Sequence, residues 1–185
     1  MRVFERNKHI TVDFEEGNLI TAVEMEDNYH HFRVQVAFAF PSLEIKRASA
    51  EVVRAPNRQC YAVPGLVAGL VGIRVQPGFN RTVAKVVGGP GGCFHLGNLV
   101  GEAALAALQG IYAAANQVSG GALVKLPRDQ RTRFWLDRRP EMLDSCLAWS
   151  AEGELVREAY PEGLPESLQA RRKPVREAGG KPAEG

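Results

Sequence analysis

The chain has 185 residues, 45% of them hydrophobic, and its 23 basic and 21 acidic side chains leave a formal net charge of +2. That is enough apolar material for one core, and the balanced charge gives no electrostatic reason to expect nucleic acid or an anionic membrane as a partner. Three cysteines, Cys60, Cys93 and Cys146, are too few and too odd in number for a secreted disulfide framework, so a reducing cytoplasm is expected.

The opening MRVFERNKHI is charged and has no apolar h-region, so no signal peptide is expected. His9 to Phe14 then alternates, with Ile10, Val12 and Phe14 on one side and Thr11 and Asp13 on the other. Period two predicts a half-buried strand. After the turn EEGN, Asn18 to Glu26 alternates again through Leu19, Thr21, Val23 and Met25. The third run, His30 to Phe40, is the most regular: Phe32, Val34, Val36, Phe38 and Phe40 face one way, and His31, Arg33 and Gln35 the other. Leu43 to Val53 reads as a fourth strand. Strands joined by short turns predict an antiparallel meander with one wet face.

Pro64 suits the first turn of a helix that stops at Gly72. Phe79 to Val87 predicts a second helix, with Phe79, Val83, Val86 and Val87 on one stripe. GGPGG then leads into Cys93-Phe94-His95, which open a third and longest helix carrying Leu96, Leu99, Val100, Ala103, Ala107, Leu108 and Ile111 at three- and four-residue spacing. Between Val86 and Val124 the one charged side chain is Glu102, but glycines and amides interrupt the stretch. A buried helix accounts for that composition, and no membrane span is expected. Beyond Gly120-Gly121, residues 122–126, 132–136, 145–149 and 154–156 read as short strands. Residues 161–185, rich in proline, glycine and charge, read as a disordered tail. The expected organisation is a single α+β domain over residues 1–160: a mostly antiparallel sheet of three to four strands, about three helices on one face, and a short-strand C-terminal extension.

The candidate chemistry centres on Cys93 and His95. A helix start favours a negatively charged group, which suits a thiolate, and the preceding glycines let backbone N–H groups turn toward an anion or a sulfur ligand. Thiolate and imidazole together select zinc or iron–sulfur over magnesium or calcium. Cysteine is also among the most buried residue types, so a core role for Cys93 stands beside the ligand reading. Cys60, at a similar hand-over into a helix, and His30, at the head of the third strand, are the further candidates. Cys146, between Leu143 and Trp149, is expected to be packed. His31 is expected to face solvent, and Glu102 to lie on a solvated face or stand behind His95. Glu24, Glu26 and Asp27 share a turn, with no acid–base role assigned. GGPGGC lacks the Gly-Lys-Ser/Thr ending of a phosphate loop, and neither Gly-x-Ser-x-Gly nor Cys-x-x-Cys occurs.

The order His30, Cys60, Gly92-Cys93-Phe94-His95-Leu96 and an alanine-rich helix reaching Gln109, with RRPEMLDSCLAW and GELVREAYP further on, resembles a bacterial family known only as a domain of unknown function, DUF 2889. The likeness covers roughly residues 5 to 161. It departs at His30-His31-Phe32, where the family usually has His-Asp-Met, and at Phe94, where it has Thr. More remotely, the order of strands, Cys60, helix, glycine-rich loop, Cys93 and long helix is similar to iron–sulfur cluster scaffold proteins of the IscU/NifU N-terminal type. That resemblance implies a pole of ligands at Cys60 and Cys93, with His30 near the scaffold's Asp. The scaffold's first cysteine has no match, Asn28 standing there, and GGPGG replaces its Leu-Pro-Pro-Val-Lys chaperone motif. The leading expectation is therefore a metal or iron–sulfur site of Cys60, Cys93, His95 and His30. A cysteine-dependent enzyme or sulfur acceptor using Cys93, with His95 or His30 as base, is the second. A metal-free interaction module is the third.

Overall fold

The computed structural model describes residues 1–172. Four strands run in chain order, β1 (Arg6–Glu15), β2 (Asn18–Asp27), β3 (His31–Ala39) and β4 (Ile45–Arg54), and pair antiparallel with each neighbour. The meander follows from the alternation. Leu19, Val23 and Met25 of β2 and Phe32, Val34, Val36 and Phe38 of β3 all point to one face and are buried. The other face carries ion pairs: Glu24 accepts from His31 Nε2 at 2.6 Å and from Arg33 Nε at 2.9 Å. His31 is thus tied to the wet face rather than free in solvent. Glu16 and Gly17, both at positive φ, make the tight β1–β2 turn.

The β3–β4 ladder slips twice. His31 faces Arg54 but Phe32 faces Val52, so Val53 is an extra residue, bulged out of register.

On the apolar face lie α1 (Phe79–Val87) and α2 (Phe94–Val118). The 25 residues of α2 span about 37 Å, close to the roughly 33 Å of a ten-residue strand. The helix therefore reaches from one end of the sheet to the other. Its inner face is small, with Ala103, Ala104, Ala107 and Ala114 buried beside Leu96, Leu99 and Val100. Gly110 comes so close to β1 that a Cβ there would stand 2.8 Å from Val12 Cγ1. Burying leucines as completely as Leu96 and Leu99, each 0% exposed, contributes on the order of 2 kcal/mol apiece. The helix expected after Pro64 is a 3-10 helix over Pro64–Leu70, burying Val67 and Leu70.

The chain divides into two compact units, Met1–Val118 and Ser119–Gly185. In the second, among the described residues, the expected short strands are helical instead: α3 (Ala122–Lys125), α4 (Arg128–Arg138), a 3-10 turn at Leu147–Trp149 and α5 (Glu154–Ala159), joined by a further 3-10 turn at Pro140–Met142 and by α6 (Glu166–Gln169) in the stretch expected to be disordered. The apolar runs are too short to show a period, yet Thr132, Trp135 and Leu136 recur at helical spacing and are the buried residues of α4. Leu136, Leu143, Ala151, Val156 and Leu168 form this unit's core, with Met142, Trp149, Tyr160 and Leu164 around it. Leu168 lies within the stretch expected to be disordered. Its side chain supplies the apolar burial that composition alone undervalues; the remainder of that stretch, 173–185, lies outside the described residues. Cys146 is exposed, not packed, and Leu147 beside it is 92% exposed.

Candidate functional site

The β2–β3 turn builds one half of the site. Asp27 is the last residue of β2 and shares its inward face with Leu19, Val23 and Met25, so its carboxylate is carried into the interior. The buried charge is fully engaged. Oδ1 accepts the backbone N–H groups of Tyr29 at 2.8 Å and His30 at 2.7 Å, and Oδ2 accepts Arg6 Nη2 at 2.6 Å and Nε at 3.0 Å. Burial alone would raise the Asp27 pKa. The Tyr29 N–H, the Arg6 guanidinium and the His30 N–H outweigh it and hold the carboxyl well below its ordinary range.

Asp27 also orients His30, whose Nδ1 lies 3.2 Å from Oδ1. An ionised carboxylate can only accept, so Nδ1 carries a proton directed at Asp27. Three further hydrogen bonds fix the turn. Asn28 Oδ1 accepts the Glu5 N–H at 2.9 Å, and Arg54, placed by the bulge at Val53, donates to the carbonyls of Asp27 at 2.9 Å and Asn28 at 3.2 Å.

The α1–α2 loop builds the other half. Cys93 N–H donates to Val87 O at 2.7 Å, and Cys93 O accepts from Gly97 N–H at 3.1 Å, so Cys93 is the N-cap residue immediately before α2. The glycines here are structural. A Cβ on Gly92 would stand 2.2 Å from Val87 O and 2.3 Å from Gly88 O, so this loop folds back on the end of α1 only with glycine at that position. His95, two residues on, leans over Phe32 of β3, with ring centroids 6.0 Å apart.

The two halves meet at the imidazoles. The His30 and His95 rings lie 4.3 Å apart between centroids, tilted by 37°. Burial lowers the His95 pKa first, and the nearby His30 and Arg6 add to it, so His95 is a neutral imidazole near pH 7. Lys8 on β1 is bonded to Glu102, two turns along α2, which ties helix to strand beside the pair. Glu102 is thus a partner of Lys8, on neither a free solvated face nor His95.

Of the four sequence candidates, His30 and His95 are together and Cys93 begins the same helix turn. Cys60 sits in the 3-10 turn Arg58–Ala62, just past β4, whose last residue, Arg54, pairs with His31. It therefore leaves the sheet at the end where His30 stands, and both Cys60 and Cys93 are half-buried free thiols. Among the described residues, no three His, Cys, Asp or Glu side chains form a group that could hold a metal ion. Asp27 and Arg6 are the residues that sequence reasoning missed. The signal for Asp27 was present: an acid on the inward side of an alternating strand, three residues before a histidine.

No helix among the described residues is long and apolar enough to cross a membrane. No curated protein and no solved structure matches the chain. The model of one family, described as a protein of unknown function (DUF2889), matches residues 8–109, a span that includes Asp27, His30, Cys60, Cys93 and His95. That is more than half of the chain, which therefore belongs to the DUF2889 family.

Proposed function

We propose that the chain binds a transition metal of the zinc class at this end of the sheet, in a reducing cytoplasm, with His30 and His95 as imidazole ligands and the thiolates of Cys93 and Cys60 completing the set. One observation carries the reading: two imidazoles 4.3 Å apart, one backed by a buried carboxylate and the other neutral. Metal-bound histidines commonly give their second N–H to a carboxylate, which fixes the tautomer and raises ligand basicity. Asp27 stands to His30 in that relation. Ligand nitrogens stand about 2.0–2.1 Å from zinc, so two rings on one ion must be near neighbours, as these are. The thiols proposed to join them belong to Cys93, the residue before α2, and to Cys60 in its 3-10 turn. Two imidazoles with two thiolates suit tetrahedral zinc, and an iron–sulfur unit with mixed ligands is the second metal outcome.

Elemental analysis of protein purified without oxygen tests this. The expected result is zinc or iron bound in proportion to protein and lost in His95→Ala and Cys93→Ala. Cobalt(II) substitution then reads thiolate ligation from its charge-transfer bands. Protein free of metal, or metal retained in the His30→Ala, His95→Ala double variant, overturns the proposal.

A second reading rests on Cys93 itself. It immediately precedes the 25-residue helix α2, at the positive end of its dipole, and the neutral His95 imidazole follows two residues on as a candidate base. It predicts that iodoacetamide modifies Cys93 faster than the exposed Cys146 in metal-free protein. Faster modification of Cys146 rejects it.

A further inference from the structure

The two edges of the sheet are treated differently. At its start, the outer edge of β4 is covered: Ile45 N–H donates to Ile73 O at 2.8 Å, Gly72 N–H donates to Ile45 O at 2.8 Å, and Glu44 bridges to Arg74. β1 pairs only with β2 among the described residues. Its ladder runs unbroken from Arg6↔Asp27 to Glu15↔Asn18, with no bulge and no proline to spoil further pairing. A long, regular, uncovered edge is a template for another strand.

The middle of β1 is complementary to itself. His9-Ile10-Thr11-Val12-Asp13 reads basic, apolar, neutral, apolar, acidic about Thr11. In an antiparallel pairing centred on Thr11, His9 stands opposite Asp13 of the second copy, and Ile10 stands opposite its Val12. Each happens twice, once on either side of the two-fold axis. Both members of a pair lie on the same face of the continued sheet, as the period of two demands. Thr11, His9 and Asp13 fall on the wet face. Ile10, 40% exposed in the single chain, gains an apolar partner on the helix side.

The helix above leaves room. Glu102, Ala106, Gln109 and Ala113 follow one another at helical spacing, and Glu102 marks that side as the one toward β1 by reaching Lys8. Ala106 and Ala113 project only methyl groups there. We infer that two copies of this chain pair through β1, antiparallel and centred on Thr11, in a two-fold dimer with one continuous sheet.

Sedimentation equilibrium of the full chain tests the inference, with far-UV circular dichroism to confirm folding of each variant. The wild type is expected at the dimer mass. His9→Asp, which sets carboxylates opposite each other, and Thr11→Lys, which sets two ammonium groups on the axis, are expected at the monomer mass. The His9→Asp, Asp13→His exchange restores opposite partners and is expected to return the dimer. A monomeric wild type, a dimer that survives both single changes, or an exchange variant that stays monomeric overturns the pairing.

Discussion

At the scale of residues, the buried Asp27 carboxylate joins strand, turn and imidazole. Asp27→Asn keeps the shape but removes the charge that Arg6 and His30 answer. Breaking a buried ion pair from one side costs about 3 kcal/mol, and a loss of that size is expected in urea denaturation at pH 7. The Asp27 pKa is depressed in the folded state, so its contribution is present above the unfolded value of about 3.9 and fades as pH falls below it. Wild type and Asp27→Asn should therefore converge in stability in strong acid. His95 is also depressed on folding. Below about pH 6.5 the unfolded chain takes up a proton that folded His95 resists, so stability should fall as pH drops from 7 toward 5.5. His95→Gln should remove that part of the slope, measured as the denaturation midpoint against pH. Alternation set His31 on the wet side of β3, and the glycines marked Cys93, two residues before His95, as the entry to the long helix. Asp27 is legible only from its place on the inward side of β2, because an acid on a strand otherwise looks solvated.

At the scale of elements, the sheet and the long helix were legible because each repeats its period several times. The four strands and α1 and α2 fall within a few residues of their expected bounds. The second unit was not legible, since each of its elements offers at most one or two turns of pattern, and a run of four apolar residues fits strand and helix alike. The glycine-rich loop before Cys93 is a fitted turn. Gly92→Ala puts a methyl against two carbonyl oxygens and cannot be relieved by a side-chain rotation. It should cost roughly 2 kcal/mol in thermal denaturation and displace Cys93 and His95 with it. Gly110→Ala, whose obstacle is a valine methyl, should cost less, because alanine returns about 1 kcal/mol of helix propensity.

At the scale of the molecule, the two units can be followed separately. Both tryptophans, Trp135 and Trp149, belong to the second, so intrinsic fluorescence reports that unit while the strands report the first. Leu136 is 0% exposed at the centre of the second core. Leu136→Ala should destabilise that unit by about 3 kcal/mol. Its fluorescence transition should then move to lower denaturant than the sheet signal in circular dichroism; coincident shifts would mean the units unfold as one. The bulge at Val53 matters on this scale too. One surplus residue sets the rotational phase with which the chain leaves the sheet, and so decides whether Arg54 reaches across to clasp the Asp27–His30 turn. Were the ladder regular instead, Val53 would take His31 as its partner and Arg54 would fall on the buried face with Val52, turned away from the clasp it now makes.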